Sequence, residues 1–178
     1  CGLDKVESFW RNVRNDDPKL FNHPVRSVAN YRKRAIPWLG HGDGGEFQNT
    51  DSMEIMSSTP LLSEGDTLHC QLVAACWPKL LTATMRHHGV CTWAVLLRRF
   101  AWSANVLYEG VWPSADDLNK PIPPSDPHYA KRGSLLFHQT VDGLSLFFVF
   151  WGLLGDWDYF AARHGCPTAS NNEFCWLC

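Results

Sequence analysis

No stretch of the 178-residue chain is apolar for long enough to span a bilayer. The most apolar run, Leu144 to Leu154, is about half the length a membrane-crossing helix requires. A secretory signal is also missing. Neither sign of charge prevails: 16 Lys and Arg against 18 Asp and Glu leave a net charge of −2, so the chain as a whole has no electrostatic footprint for nucleic acid. The local basic clusters Arg32-Lys33-Arg34, Arg98-Arg99 and Lys131-Arg132 read as solvated faces. A phosphate-cradling glycine loop with its lysine, a Gly-x-Ser-x-Gly elbow and a His-Glu-x-x-His helix are all lacking, which removes the usual support for nucleotide hydrolase, esterase and zinc protease. Cysteines number seven, an odd count without a dense framework. That pattern predicts reduced thiols and an intracellular, nuclear or cytosolic, setting.

What is present belongs to a globular protein. Hydrophobic residues make up 45% and charged residues 19%, which excludes disorder. Nine tryptophans and ten phenylalanines predict a thick core, or a surface covered by further protein. Because Cys1 opens the chain without a methionine and Cys178 closes it inside a Cys-x-x-Cys pair, the expectation is a segment of a larger α/β protein.

Three regions follow from the pattern. Residues 1–34 are polar and basic, with breakers at Asp16-Asp17-Pro18 and His23-Pro24, and form a lead-in segment with one short helix. Residues 35–165 form the α/β core. A strand starts at Ala35 and runs towards Asp43; Ser52–Ser58 alternates, with Met53, Ile55 and Ser57 on one parity. Thr67–Trp77 fits two patterns: Leu68, Cys70, Leu72, Ala74 and Cys76 share one strand face, which suits burial, while Leu68, Leu72 and Val73 also suit a helix; the short run stopped by Pro78 favours a third strand. Trp93, Leu96, Leu97, Phe100, Ala104, Leu107 and Tyr108 recur at helical spacing and predict a helix over 92–109, ended by Gly110 and Pro113. A proline-rich loop over 112–133 separates it from a strand at 144–154 that is buried on both faces. Residues 166–178 start a zinc knuckle or an insertion.

Two acids stand at strand ends, where α/β proteins gather catalytic side chains. Asp43 follows the first strand and Asp156 the buried one. Each has a plainer reading: Asp43-Gly44 as a hairpin turn, Asp156 as a helix N-cap. Cys175 and Cys178 supply half of a structural zinc site, with His164 and Cys166 as weaker ligands just upstream.

Three patches carry a resemblance: Pro37-Trp38-Leu39-Gly40-His41-Gly42-Asp43-Gly44, the run from Trp102 to Pro113, and Gly155-Asp156-Trp157-Asp158-Tyr159-Phe160 with the later Cys-Trp-Leu-Cys. Together they resemble multicopy, transposon-derived proteins of large protist genomes and, more distantly, the catalytic core of CACTA-type cut-and-paste transposases. The resemblance implies an RNase H-like mixed sheet with flanking helices, incomplete at the C-terminus. It further implies a DDE-type site in which Asp43 and Asp156 hold magnesium, with DNA as partner and strand cleavage or transfer as the reaction. The third acid of that site is expected beyond Cys178, so residues 1–178 alone are expected to be inactive. Two other readings stand beside it. One is a non-catalytic relic or zinc-binding interaction module; the other is an unrelated α/β protein in which Asp43 is a turn and Asp156 a cap.

Overall fold

A computed structural model describes residues 2–48, 51–65, 70–82 and 91–155. Its elements run α1 (Leu3–Asn12), α2 (Pro18–Phe21), a 3-10 turn (Pro24–Ser27), α3 (Tyr31–Arg34), β1 (Ala35–Gln48), β2 (Asp51–Pro60), β3 (Leu72–Pro78), α4 (Thr92–Glu109), a short hairpin of β4 (Thr140–Val141) and β5 (Leu144–Ser145), and β6 (Phe147–Leu154). Four strands form one sheet in the order β3-β2-β1-β6.

The sheet is mixed. β2 and β3 pair antiparallel. Between β1 and β6 the contacts rise in step: Arg34 donates to the Ser145 carbonyl, the Trp38 and Phe150 rings lie 5.2 Å apart, and Leu39 lies against Gly152. Contacts that advance together along both strands are those of a parallel pair. Such a pair needs a long crossover, and α4 with the proline-rich loop provides it. The chain is therefore α/β.

Contacts divide the chain into two compact units, residues 1–38, 60–70 and 98–151 in one and 39–59, 71–97 and 152–178 in the other. The first unit holds the buried cluster Val6, Trp10, Leu20, Val25, Ala35, Phe147 and Val149. Four of those seven side chains come from residues 1–34, so the expected lead-in is part of the core, and it carries several helical turns rather than one. Trp10, fully buried, donates Nε1–H to the Ala35 carbonyl at 2.7 Å and meets Phe9, Tyr31 and Trp151 edge-on. On the other side of β1, Trp38 packs against Phe100 of α4 and Phe150 of β6. Asp117, with its side chain 8% exposed, ties the proline-rich loop to α4 through Arg98 and Arg99. Desolvation raises its pKa, but the two guanidiniums outweigh that and hold it below the usual carboxylate range.

His23 fastens the N-terminal segment to β6. Its Nδ1 accepts the Val25 amide, and its ring bonds the Phe150 backbone. Desolvation lowers its pKa, only partly offset by the bond to Phe150. The unfolded chain thus takes up a proton near pH 6.5 while the folded one does not. Stability from His23 is complete above about pH 6.5 and is lost as pH falls towards the lowered folded value. Lys19 lies over the ring of Trp151, which His23 also approaches, so a second positive charge there finds no relief. Urea denaturation at pH 7.5 and pH 5.5 is expected to show a smaller loss for His23→Gln than for the native chain.

In the second unit Trp77 and Trp93 meet edge-on with ring centres 5.0 Å apart, fixing the first turns of α4. The parity expected of β2 differs from that observed. Glu54 and Met56 are buried at 3% and 2%, while Met53 and Ile55 are half-buried. A register shift between Met56 and Ser57 then buries Ser57 as well, because a bulge puts successive residues on one side. Among the described residues β3 lies at the end of the sheet, and Leu72 and Cys76, expected on a buried face, are exposed. β6 is buried chiefly on one face, since Phe150 and Leu154 are 37% and 47% exposed.

Candidate functional site

β1 lies between β2 and β6 and is unusual for a strand in that position, because glycines occupy positions 40, 42, 44 and 45. Glycine weakens a strand and leaves space where its side chain would be. Gly40 and Gly42 are buried, Asp43 is half-buried and Gly44 is exposed. Asp43 therefore sits where β1 emerges from its covered part, with three glycines within two residues. Its carboxylate makes no hydrogen bond or ion pair among the described residues.

The strand continues past Asp43-Gly44 to Gln48. Gly44 lies near the Met53 carbonyl, and the Leu61 amide donates to the Pro37 carbonyl at 2.9 Å, so β1 and β2 pair antiparallel over many residues. Asp43-Gly44 is accordingly not a two-residue hairpin turn. That role belongs to Asp142-Gly143, which joins β4 to β5 with φ of 53° and 75° at the two central residues.

Two further side chains of this unit escaped the sequence reading. His41 shares a strand face with Asp43, being two residues away. Its Nδ1 is buried without a hydrogen-bond partner. Glu54 is a buried acid on β2, opposite Trp77. An acid between Met53 and Met56, and a histidine two residues before the candidate aspartate, were the signals available. Both fell below notice because single polar residues in strands more often face solvent.

Among the described residues, a carboxylate without a partner on the same strand face as an unpartnered ring nitrogen offers donors of the kind a divalent cation takes. Magnesium takes carboxylate oxygen, and manganese or zinc accepts imidazole as well. Among the described residues, no group of three or more His, Cys, Asp or Glu side chains is close enough to hold a metal ion by itself. Asp156 and the whole of the expected zinc set, His164, Cys166, Cys175 and Cys178, lie outside the described residues. Among the described residues Cys70, Cys76 and Cys91 are free thiols. No helix among the described residues is long and apolar enough to cross a membrane. A comparison of the chain with protein-family models, curated proteins and solved structures finds no match.

Proposed function

We propose that this chain carries the paired-aspartate part of an RNase H-like centre for metal-dependent phosphodiester cleavage in DNA, of the kind the transposase resemblance implies. The observation that carries the reading is the sheet. Three antiparallel-ordered strands, a helix, and a fourth strand parallel to the first give the order β3-β2-β1-β6, with Asp43 on the strand that β6 flanks. The β1–β6 contacts have residue offsets of 112 for Trp38–Phe150 and 113 for Leu39–Gly152. Asp43 and Asp156 are also 113 apart. The reading requires Asp156, which lies outside the described residues, to reach the same strand end.

Bound magnesium would supply charge for the attacking water and the leaving oxygen. The residues' part is to hold position. Asp43 presents a carboxylate with no competing partner among the described residues, the glycines beside it would let a nucleic-acid backbone approach, and Asp156 would supply the second oxygen donor. His41 lies on the same strand face as Asp43 and favours a softer ion such as manganese over magnesium.

Manganese binding, followed by the electron paramagnetic resonance of the free ion, tests the assignment. Asp43→Asn and Asp156→Asn are each expected to weaken binding at least tenfold. Glu109→Gln, a change at an exposed acid, is expected to leave it unaltered. Equal binding by the native chain and both Asn variants overturns the proposal.

A further inference from the structure

Charge along the chain is uneven in a way the net value hides. Residues 1–34 hold eight Lys and Arg against four Asp and Glu, which leaves eight against fourteen for the remainder. The fold turns that imbalance into a surface. Val6, Trp10, Leu20 and Val25 of the segment are buried, whereas Phe21 and six of its eight cations, Arg11, Arg14, Lys19, Arg26, Arg32 and Lys33, are exposed.

Not all of them are available. Arg11 and Arg14 are paired with Glu7 and Asp16, Lys5 with Glu64, and Arg34 is only half-exposed, with its guanidinium on the Ala29 and Ser145 carbonyls. Lys19, Arg26, Arg32 and Lys33 are exposed and have no carboxylate partner among the described residues; Arg26 donates to the Phe21 carbonyl and Arg32 to Asn15 Oδ1 and the Tyr31 hydroxyl, neutral acceptors that leave their charge uncompensated. Three of these four are held over rings: Lys19 on Trp151, Arg26 on Phe21 and Arg32 on Tyr31, at 5.9, 5.9 and 5.7 Å from the ring centres. Trp151 and Tyr31 both pack edge-on against Trp10, at 5.3 and 5.4 Å. Lys19 and Arg32 are therefore displayed from one aromatic cluster, and Lys33 adjoins Arg32. Of the acids in and against this segment, Asp16 pairs with Arg14, Asp17 accepts the Lys19 amide at the start of α2, and Asp142 accepts from Asn30.

We infer that this face docks on a phosphodiester backbone. Cations pre-positioned on rings lose little side-chain freedom on binding. Displacing counterions from a duplex rewards several such charges at once. An anionic membrane fits less well, because an interfacial helix needs a free apolar face and that of α1 is spent on the core. The inference rests on the placement of charge and not on the metal site: docking without cleavage would leave it intact, as would loss of manganese binding.

Fluorescence anisotropy of a labelled 20-base-pair DNA duplex, titrated with the chain between 50 and 200 mM KCl, is the test, with a duplex RNA of the same length in parallel. Four phosphate contacts predict a slope of log K on log salt of about −3 to −4. The variant K19Q/R26Q/R32Q/K33Q is expected to lose at least tenfold in affinity and most of that slope, about one unit for each charge removed. Thermal melting of the variant should match the native chain, since all four side chains are exposed. Lys79→Gln with Lys120→Gln, removing charges elsewhere, should bind as the native chain does. Tighter binding to DNA than to RNA, or the reverse, identifies the source of the backbone. Binding that ignores salt, a quadruple variant that binds unchanged, or preference for vesicles of anionic lipid over both duplexes would overturn the inference.

Discussion

Trp10→Ala is expected to cost about 3–5 kcal/mol of folding stability, the range for truncating a buried tryptophan. The side chain is fully buried in the first unit, and three other aromatic rings rest on its edges. Its truncation leaves a void the size of an indole that rigid neighbours cannot close. The Ala35 carbonyl, at the start of β1, also loses its side-chain donor. Since domains of this size are stable by about 5–15 kcal/mol, one substitution removes a large share of the total. In urea the midpoint should fall by more than about 1 M, taking a slope of about 1–3 kcal/mol per molar. Trp10→Phe separates the two causes. It keeps a ring against Tyr31 and Trp151 but not the donor, and should cost about 1–3 kcal/mol. A loss below about 1 kcal/mol for Trp10→Ala would mean that residues 1–34 do not hold the core as described.

Gly110→Val should be the next most damaging single change, at about 2–4 kcal/mol. Gly110 ends α4 with φ of 70°, in the left-handed region, where an ordinary residue costs about 1–2 kcal/mol and a β-branched one more. A Cβ there would also stand 3.1 Å from the Leu146 carbonyl, which cannot easily retreat because it belongs to the backbone entering β6. The Gly110 carbonyl further accepts the Leu136 amide at 2.8 Å, so a shift would strain the far end of the proline-rich loop. Gly133 has nearly the same φ, 73°, and a Cβ added to it would meet nothing within 4 Å, so Gly133→Ala measures the conformational cost alone. The amount by which Gly110→Ala exceeds it in denaturant melts reports the steric contact. If the two cost the same, the packing of α4 against β6 at that point is looser than described.

Helix α4 was legible to the residue, because seven apolar side chains at one helical spacing and a glycine stop leave little choice. β1, β2 and the start of β6 were legible from alternation and from short apolar runs. Where the reading failed, the cause was context. The Asp-Gly signal occurs twice; pairing with β2 forces Asp43-Gly44 to stay extended, whereas Asp142-Gly143 has only short strands on either side and turns. Nothing local in Leu72, Val73 or Cys76 says that, among the described residues, β3 has a neighbour on one side only, a position that accords with the exposure of those residues. Residues 1–34 looked peripheral because their apolar positions are sparse, yet Val6, Trp10, Leu20 and Val25 are spaced to meet β6. At the candidate site, Asp43 was found by its place at a strand end. His41 and Glu54 were not, since the burial that makes them notable is a tertiary property.

Of the two neighbours of β1 in the sheet, β6 lies some 112 residues further along the chain. During synthesis at about 5–20 residues per second, β1 therefore leaves the ribosome roughly 6–22 s before β6 can pair with it. Throughout that interval one side of β1 keeps its amides and carbonyls open, and Trp38 lacks its contact with Phe150. Helices of the N-terminal segment wait for the same strand, because Phe147 and Val149 complete their core. Chaperone capture in the cell should then depend on how fast the stretch from α4 to β6 is translated, so that slow codons there would lower the yield of folded protein without altering a single residue.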